Sequence, residues 1–157
     1  MTMLPLFLLG PVLLGVAYFD LRFMRIPNVI SVIALALFLI CALVFPPSDL
    51  LARFFCTSLV LTLGFLGFAF RLIGGGDVKF LSTLMLFVPI NALVLFANVF
   101  SASMLAGILL IAGLRRIPAT SAWGWKSFGG STKFPMGVSI AMTGLALPIV
   151  ALILQPH

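Results

Sequence analysis

Residues 78–114 read VKFLSTLMLFVPINALVLFANVFSASMLAGILLIAGL, a long and predominantly apolar run. A transmembrane helix needs about 20 apolar residues, so this run is too long for one helix. Pro89 and Asn91 divide it, because proline lacks a backbone N–H and disfavours helix at the residue before it. The sequence therefore predicts two membrane helices here, over residues 78–88 and 92–114.

The rest of the chain has the same character. Of its 157 residues, 63% are hydrophobic and 8% are charged, against about 45–50% and about 25% in soluble domains. This composition predicts that the lipid bilayer surrounds most of the protein. Further apolar runs predict spans over residues 3–19, 29–45, 54–73 and 136–154. We expect an all-α polytopic membrane protein with about six transmembrane helices, forming one domain over residues 1–157.

The basic residues predict the orientation of these helices. Six spans place both termini on one side of the membrane and the loops between spans 1–2, 3–4 and 5–6 on the other. Those loops hold all the Lys and Arg residues except Arg53, so by the positive-inside rule they are cytoplasmic and both termini are outside. The charges are spread over several loops and form no dense patch for nucleic acid. The loop residues are Arg22, Arg25, Arg71, Lys79, Arg115, Arg116, Lys126 and Lys133.

The acidic residues are Asp20, Asp49 and Asp77, and there is no glutamate. Asp49 follows two prolines, and we expect it to cap the third span. Asp20 and Asp77 are far apart in the sequence, yet the predicted topology puts both at the cytoplasmic edge. Carboxylates that border membrane spans are costly and usually functional. Ion pairing with a neighbouring Arg or Lys is the alternative explanation for each.

Two adjacent carboxyl groups can hydrolyse a peptide without a metal or cofactor. Their like charges oppose simultaneous ionisation, so the pair shares one proton. The ionised carboxylate takes a proton from water, which attacks the scissile carbonyl, and the protonated carboxyl donates to the carbonyl oxygen. The single histidine, His157, lies on the predicted outer side, and Cys41 and Cys56 lack metal-ligand spacing. This inventory favours an aspartyl pair and indicates no metal site.

The glycines Gly74, Gly75 and Gly76 directly precede Asp77. Glycine adopts backbone conformations closed to other residues and lets another chain approach closely. Irregular backbone within a membrane protein is tolerated where it lines a cavity. We therefore expect the three glycines to form flexible backbone that pairs with an extended substrate peptide. A tight turn between two helices is the alternative.

Two motifs carry a resemblance to a known family. Asp20 to Asn28 read DLRFMRIPN, and Gly74 to Lys79 read GGGDVK. In this order, at the cytoplasmic ends of spans 1 and 4, they resemble the type IV prepilin peptidases, which are polytopic bacterial aspartyl endopeptidases. The second motif also fits the G-x-G-D pattern of presenilin-like intramembrane proteases. Lys133 to Ala141, KFPMGVSIA, is similar to the segment that enters the family's last helix.

The resemblance implies a multi-pass protein of the bacterial inner membrane in which Asp20 and Asp77 are the catalytic pair. It implies as substrate the N-terminal leader of a prepilin or pseudopilin, cut on the cytoplasmic side after a glycine and before the hydrophobic segment. Further motif residues are implied to orient the loops and the pair or to bind substrate. They are Arg22, Arg25, Pro27, Asn28, Lys79, Gly74, Gly75 and Gly76.

One departure from the family's pattern narrows the expected activity. Larger members carry a cysteine-containing cytoplasmic domain between the first two spans and also methylate the new N-terminus. Only about nine residues separate those spans here. The chain therefore resembles the short, peptidase-only form of Tad/Flp-type pili, and we expect no methyltransferase activity.

Two other classes of function account for the same acids. The first is a small ion- or proton-coupled transporter, which predicts acids near the membrane midplane rather than at its edge. The second is a noncatalytic subunit of a pilus or secretion assembly, in which the acids pair with neighbouring bases. Loss of prepilin processing in Asp→Asn variants distinguishes the peptidase from both.

Overall fold

The computed structural model describes residues 3–117, 124–127 and 134–154. Lys133 and His157 lie outside these residues. The described residues are helical and contain no β-strand, which confirms the predicted all-α class. The elements are α1 (Leu4–Leu8), α2 (Gly10–Phe23), α3 (Asn28–Val44), α4 (Leu50–Ala69), α5 (Gly75–Phe87), a 3-10 turn (Ile90–Ala92), α6 (Leu93–Arg115) and α7 (Met136–Leu154).

Three helical segments are long and apolar enough to cross a membrane. They are Leu50–Ala69, Ile90–Arg115 and Met136–Leu154, and α3 is a shorter apolar helix. Large hydrophobic side chains cover their outer faces; Leu51, for example, is 85% exposed, and α4 has no buried residue at all. Apolar surface on this scale needs a non-aqueous surrounding. The chain is therefore a helical membrane protein.

The ends of the helices differ from the predicted spans where polar residues interrupt the apolar pattern. α7 coincides with the predicted span 136–154, but α4 begins and ends four residues before the predicted span 54–73. Arg53 is accommodated inside α4 because its Nε donates to Asp49 Oδ1 at 2.7 Å. At the other end of α4, Arg71 has a left-handed conformation with φ of 60°, which terminates the helix.

The predicted first span, residues 3–19, is two helices. Pro11 has no N–H to donate to the Phe7 carbonyl, so the chain breaks at Leu9, between α1 and α2. α2 then continues four residues beyond the predicted end. Asp20 consequently lies inside α2, one turn before the helix ends at Phe23.

The core is built around α7, which packs against α2 and α6, while α5 packs against α3 and α4. α5 and α7 also contact each other and join the two groups. Small residues allow these helices to approach closely. A Cβ at Gly144 in α7 would come within 2.7 Å of Leu13 Cδ1 in α2, and a Cβ at Gly64 in α4 would come within 2.6 Å of Val78 in α5. Leu13 and Val78 are both buried.

The helix ends define two ends of the molecule. One end of the molecule holds the last residues of α2, α4 and α6 and the first residues of α3, α5 and α7. We call it the cavity end, because the cavity described below opens there. At the opposite end, Asp49 Oδ2 accepts a hydrogen bond from the Ile90 backbone N–H at 2.8 Å, and Arg53 Nη1 donates to the Leu86 carbonyl at 3.0 Å. Asp49 is the N-cap residue of α4, as predicted, but its side chain makes no capping hydrogen bond. It ties α4 to the turn between α5 and α6.

Candidate active site

Asp20 and Asp77 line one cavity of about 950 Å³ at the cavity end. Asp20 projects from α2, and Asp77 projects from the first turn of α5. The two carboxyl groups lie close enough for the charge of Asp20 to affect the ionisation of Asp77. The two acids that the predicted topology placed at one membrane edge therefore line the same cavity in the structure.

The carboxylate of Asp20 rests on the first turn of α7. Its Oδ2 accepts a hydrogen bond from the Val138 backbone N–H at 3.3 Å, and a second comes from the N–H of Gly137. These N–H groups have no partner within their own helix, and the helix dipole makes this end partially positive. A Cβ at Gly137 would stand 2.8 Å from Oδ2, so only glycine leaves room for the carboxylate.

The carboxylate of Asp77 binds the start of its own helix. Asp77 is the third residue of α5, and it accepts a hydrogen bond from the backbone N–H of Gly74, which precedes the helix. A side chain at this position commonly reaches back to the residue before the helix. A Cβ at Gly74 would stand 2.5 Å from Oδ2 of Asp77, so this glycine also permits a close approach to a carboxylate.

Burial raises the pKa of both groups, which lie outside the three helices that qualify as membrane spans. Burial raises the pKa of Asp20 to about 6, although the hydrogen bonds from Gly137 and Val138 oppose the shift. Burial and, next, the charge of Asp20 raise the pKa of Asp77 to about 7, against the opposing hydrogen bond from Gly74. Between these values the pair holds one proton, which is the state that aspartyl chemistry needs.

Ion pairing with basic neighbours does not explain the two acids within the described part of the chain. Asp49 pairs with Arg53 there, but neither Asp20 nor Asp77 has such a partner. Arg25 lines the same cavity as the two acids. Arg22 does not line it; its guanidinium donates to the Tyr18 hydroxyl and lies 5.2 Å from the centre of the Phe23 ring.

The remaining polar motif residues join α3 to α5. Lys79 Nζ donates to Asn28 Oδ1 at 3.2 Å, and Pro27 precedes the first residue of α3. Pro27 and Asn28 line a smaller cavity of about 480 Å³ rather than the one that holds the acids. The hydrogen bond between Lys79 and Asn28 therefore connects α5, which carries Asp77, to α3, which follows Asp20 in the chain.

Two of the three glycines are helical, so the prediction of irregular backbone is wrong for them. Gly75 and Gly76 form the first turn of α5, and only Gly74 has an extended conformation, with φ of −73° and ψ of 137°. Gly76 instead serves a close approach. A Cβ there would come within 3.0 Å of the carbonyl oxygen of Ile26, so the two sequence motifs are in direct backbone contact.

Several residues that line the cavity or contact Asp20 were not predicted from the sequence. Met24 and Arg71, both with left-handed backbone, line it, and non-glycine residues in this conformation cluster at functional sites. The contact of Gly137 and Val138 with Asp20 was also missed. Pro135 precedes the last apolar run and indicates that a helix starts there, because proline is favoured at the start of a helix.

Residues 124–127 cover the end of α2. The N–H of Lys126 donates to the carbonyl of Arg22 at 3.1 Å, and the N–H of Ser127 donates to that of Leu21 at 3.3 Å. The Ser127 hydroxyl also donates to the carbonyls of Asp20 and Leu21. This segment thus satisfies carbonyl groups that the last turn of a helix leaves without partners, directly beside Asp20.

Two interacting carboxyl groups in one cavity can share a proton, which is the state that aspartic peptidases use. Comparison with protein families gives the same class. Residues 7–112 match the type IV leader peptidase family, and the chain belongs to this family, which confirms the predicted resemblance. The family implies a peptidase that acts on prepilin-type substrates. No curated protein and no solved structure matches the chain.

Proposed function

We propose that this protein is the aspartyl endopeptidase that removes the leader peptide of type IV prepilins or pseudopilins, with Asp20 and Asp77 as its catalytic pair. The observation that carries the proposal is the pair itself: two carboxyl groups from different motifs share one cavity, and the charge of Asp20 affects the ionisation of Asp77. Membership of the leader peptidase family supports the reaction and the class of substrate.

The reaction requires one ionised and one protonated carboxyl group. The ionised carboxylate accepts a proton from a water molecule while the water oxygen attacks the scissile carbonyl carbon, and the protonated carboxyl donates its proton to the carbonyl oxygen. In the second half, the carboxyl that accepted the water proton donates it to the amide nitrogen. The C–N bond then breaks, the carbonyl reforms, and a proton returns to the other carboxylate.

The cavity can hold a short extended stretch of substrate. Its volume of about 950 Å³ is at the upper end of the range for ligand pockets, about 300–1,000 Å³. Phe68, Met104 and Met136 supply apolar walls, and Arg25 and Arg71 supply positive charge. These walls suit a peptide that carries a hydrophobic segment directly after the scissile bond.

We also propose the six-span topology, with both termini outside, the cavity end cytoplasmic and a single domain over residues 1–157 in the bacterial inner membrane. Its support is that Arg25, Arg71 and Lys126 share the cavity end with the acids, whereas Arg53 lies at the opposite end. In a background without native cysteines, Ser48→Cys should react with an impermeant thiol reagent outside intact cells. Arg25→Cys should react only after lysis.

The short form of Tad/Flp-type pilus systems is the proposed subclass. α2 ends at Phe23 and α3 begins at Asn28, so residues 24–27 leave no room for an inserted domain. We therefore propose peptidase activity without N-methylation. Mass measurement of the processed substrate tests this, because a methylated product would contradict it.

The central experiment is coexpression with a candidate prepilin, followed by N-terminal sequencing of the pilin. Asp20→Asn and Asp77→Asn should each reduce cleavage by at least about 100-fold, the lower range for loss of a general acid or base. Asp49→Asn is the matched control, since it removes the third acid at the opposite end. Cleavage that persists in either cavity variant, with the protein inserted, would show that the pair does not perform the reaction.

A further inference from the structure

The two acids of the cavity are held differently. Asp20 receives two backbone N–H groups from the first turn of α7, whereas Asp77 receives one, from Gly74. Asp20 is also almost completely buried, with 3% of its surface exposed, whereas Asp77 is half-buried. Burial alone would make Asp20 the harder group to ionise. The α7 N–H groups oppose this, because an ionised carboxylate only accepts hydrogen bonds and is favoured by donors.

The other charged groups that face the pair do not reverse this asymmetry. Arg25, Arg71 and Lys126 share the cavity with both acids, and none of them forms an ion pair with either acid among the described residues. The described residues of α6 and α7 that line the cavity, Met104 and Met136, are uncharged. The N–H groups of α7 are therefore the donors that act on Asp20 and not on Asp77.

We propose that the first turn of α7 is a positioning element that keeps Asp20 as the ionised, water-activating carboxylate and leaves the shared proton on Asp77. This assignment rests on the proposed function of the pair and adds the role of each member. Asp20 takes the proton from water, and Asp77 donates to the carbonyl oxygen.

Gly137 is the positioning residue on which this arrangement depends. A Cβ at Gly137 would stand 2.8 Å from Oδ2, 2.9 Å from Cγ and 3.0 Å from Cβ of Asp20. These atoms cannot all move away while the carboxylate keeps its hydrogen bonds to α7. Gly137→Ala should therefore displace the carboxylate and remove the N–H groups that favour its ionisation.

Gly144 provides a matched control. It lies in the same helix and packs against the same neighbour, α2, and a Cβ there would come within 2.7 Å of Leu13 Cδ1. The contact is as close as that of Gly137, but it involves the flexible end of an apolar side chain. Gly144→Ala thus adds the same methyl group to the same interface without touching a carboxylate.

Infrared titration of the purified full-length protein can follow the two carboxyl groups directly, because the chain has only three acidic side chains. Asp20 is observed in the Asp77→Asn variant and Asp77 in the Asp20→Asn variant, with the double variant as the blank. Each variant removes the charge of the partner acid, so the midpoints report burial and hydrogen bonds alone, and Asp20 should lose its proton at lower pH than Asp77. Gly137→Ala should raise the Asp20 midpoint by about one pH unit, the size expected for lost hydrogen bonds to a charged group, and Gly144→Ala should leave it unchanged.

A reversed order of the two midpoints would overturn the proposal, and so would equal effects of the two glycine variants. If Gly137→Ala fails to insert, the order of the Asp20 and Asp77 midpoints in the variants that keep Gly137 still tests the proposal. In cleavage assays, Gly137→Ala should move only the acidic limb of the kcat profile to higher pH, whereas general structural damage lowers the rate at every pH. Since the infrared measurement needs no substrate, it remains decisive even if leader cleavage is not the activity.

Discussion

The backbones of Ile26 and Gly76 are in contact: a Cβ at Gly76 would stand 3.0 Å from the Ile26 carbonyl oxygen and 3.3 Å from its amide nitrogen. Ile26 lies in the turn after α2, which carries Asp20, and Gly76 directly precedes Asp77. The contact therefore joins the backbone segments that adjoin the two acids without involving either acidic side chain.

Gly76→Ala should reduce kcat for leader cleavage by about 100-fold, the loss expected from displacement of a reacting group by about 1 Å. The added methyl group would meet backbone, so α5 must move away from the turn after α2. Gly75→Ala is the matched control, because a Cβ there meets the Phe68 ring at 3.2 Å and the ring can turn. Purified variants can be compared at saturating substrate. Equal losses in the two variants would argue against this role of the contact.

The rate of cleavage should show a bell-shaped dependence on pH. Below about pH 6 the carboxylate that activates water becomes protonated, and above about pH 7 the carboxyl that donates a proton loses it. The two limbs report macroscopic constants of the coupled pair. The measurement is kcat against pH with a synthetic leader peptide in detergent or nanodiscs. A rate that stays constant into strongly acidic solution would contradict the shared-proton mechanism.

Asp77→Asn should stabilise the protein relative to its parent more at pH 8 than at pH 5. The pKa of Asp77 is raised from 3.8 to about 7 by burial and by the charge of Asp20. Its contribution to folding is thus fully present below pH 3.8 and lost as the pH rises through 7. Asparagine has no proton to lose. Thermal unfolding at both pH values tests this, and an equal shift at the two would disprove the linkage.

Asp49→Asn should show the opposite sign. Partial burial alone would raise the pKa of Asp49, but hydrogen bonds from Ile90 and Arg53 and the charge of Arg53 lower it. The stability it contributes is present above the unfolded value of 3.8 and is lost on acidification. The variant should therefore be less stable than its parent at neutral pH, and this difference should shrink in acid.

Arg53→Ala should lower the free energy of unfolding by about 1–3 kcal/mol, the range for leaving buried polar partners unsatisfied. The guanidinium donates to Asp49 and to the Leu86 carbonyl, so both acceptors lose a donor. Cleavage at the other end of the molecule should keep its pH dependence. A variant as stable as its parent would contradict the role of Arg53 in holding the fold. A shifted pH profile would show that Arg53 affects the acids at the cavity end.

The apolar core of each span was predictable because hydropathy depends on composition over many residues. The ends were less predictable, because they depend on single contacts. α4 includes Arg53 since Asp49 is one turn away to pair with it, and α5 includes Gly75 and Gly76 although glycine disfavours helix. A local ion pair decides the start of α4, and contacts with Phe68 and Ile26 decide the start of α5.

The candidate pair was predictable because acidic residues are scarce in this chain. It has only three, and the predicted topology puts two of them at the same membrane edge. How the carboxylates are held was not predictable. Gly137 contacts Asp20 from the last helix, far along the chain, and no local pattern specifies which α2 residue faces that glycine. The backbone N–H groups that act on Asp20 are present at every helix start, so their use here depends on how α2 and α7 pack.

The length of α5 has a consequence for the path of water. With 13 residues it measures about 20 Å at 1.5 Å per residue, whereas a hydrocarbon core is about 30 Å thick. Both of its ends contact neighbouring segments: Gly76 lies beside Ile26, and the Leu86 carbonyl accepts a hydrogen bond from Arg53. Because most of α5 is buried among its neighbours, lipid does not meet this mismatch; in the proposed topology the cavity at its first turn makes up part of the missing length and gives hydrolytic water a path from the aqueous phase.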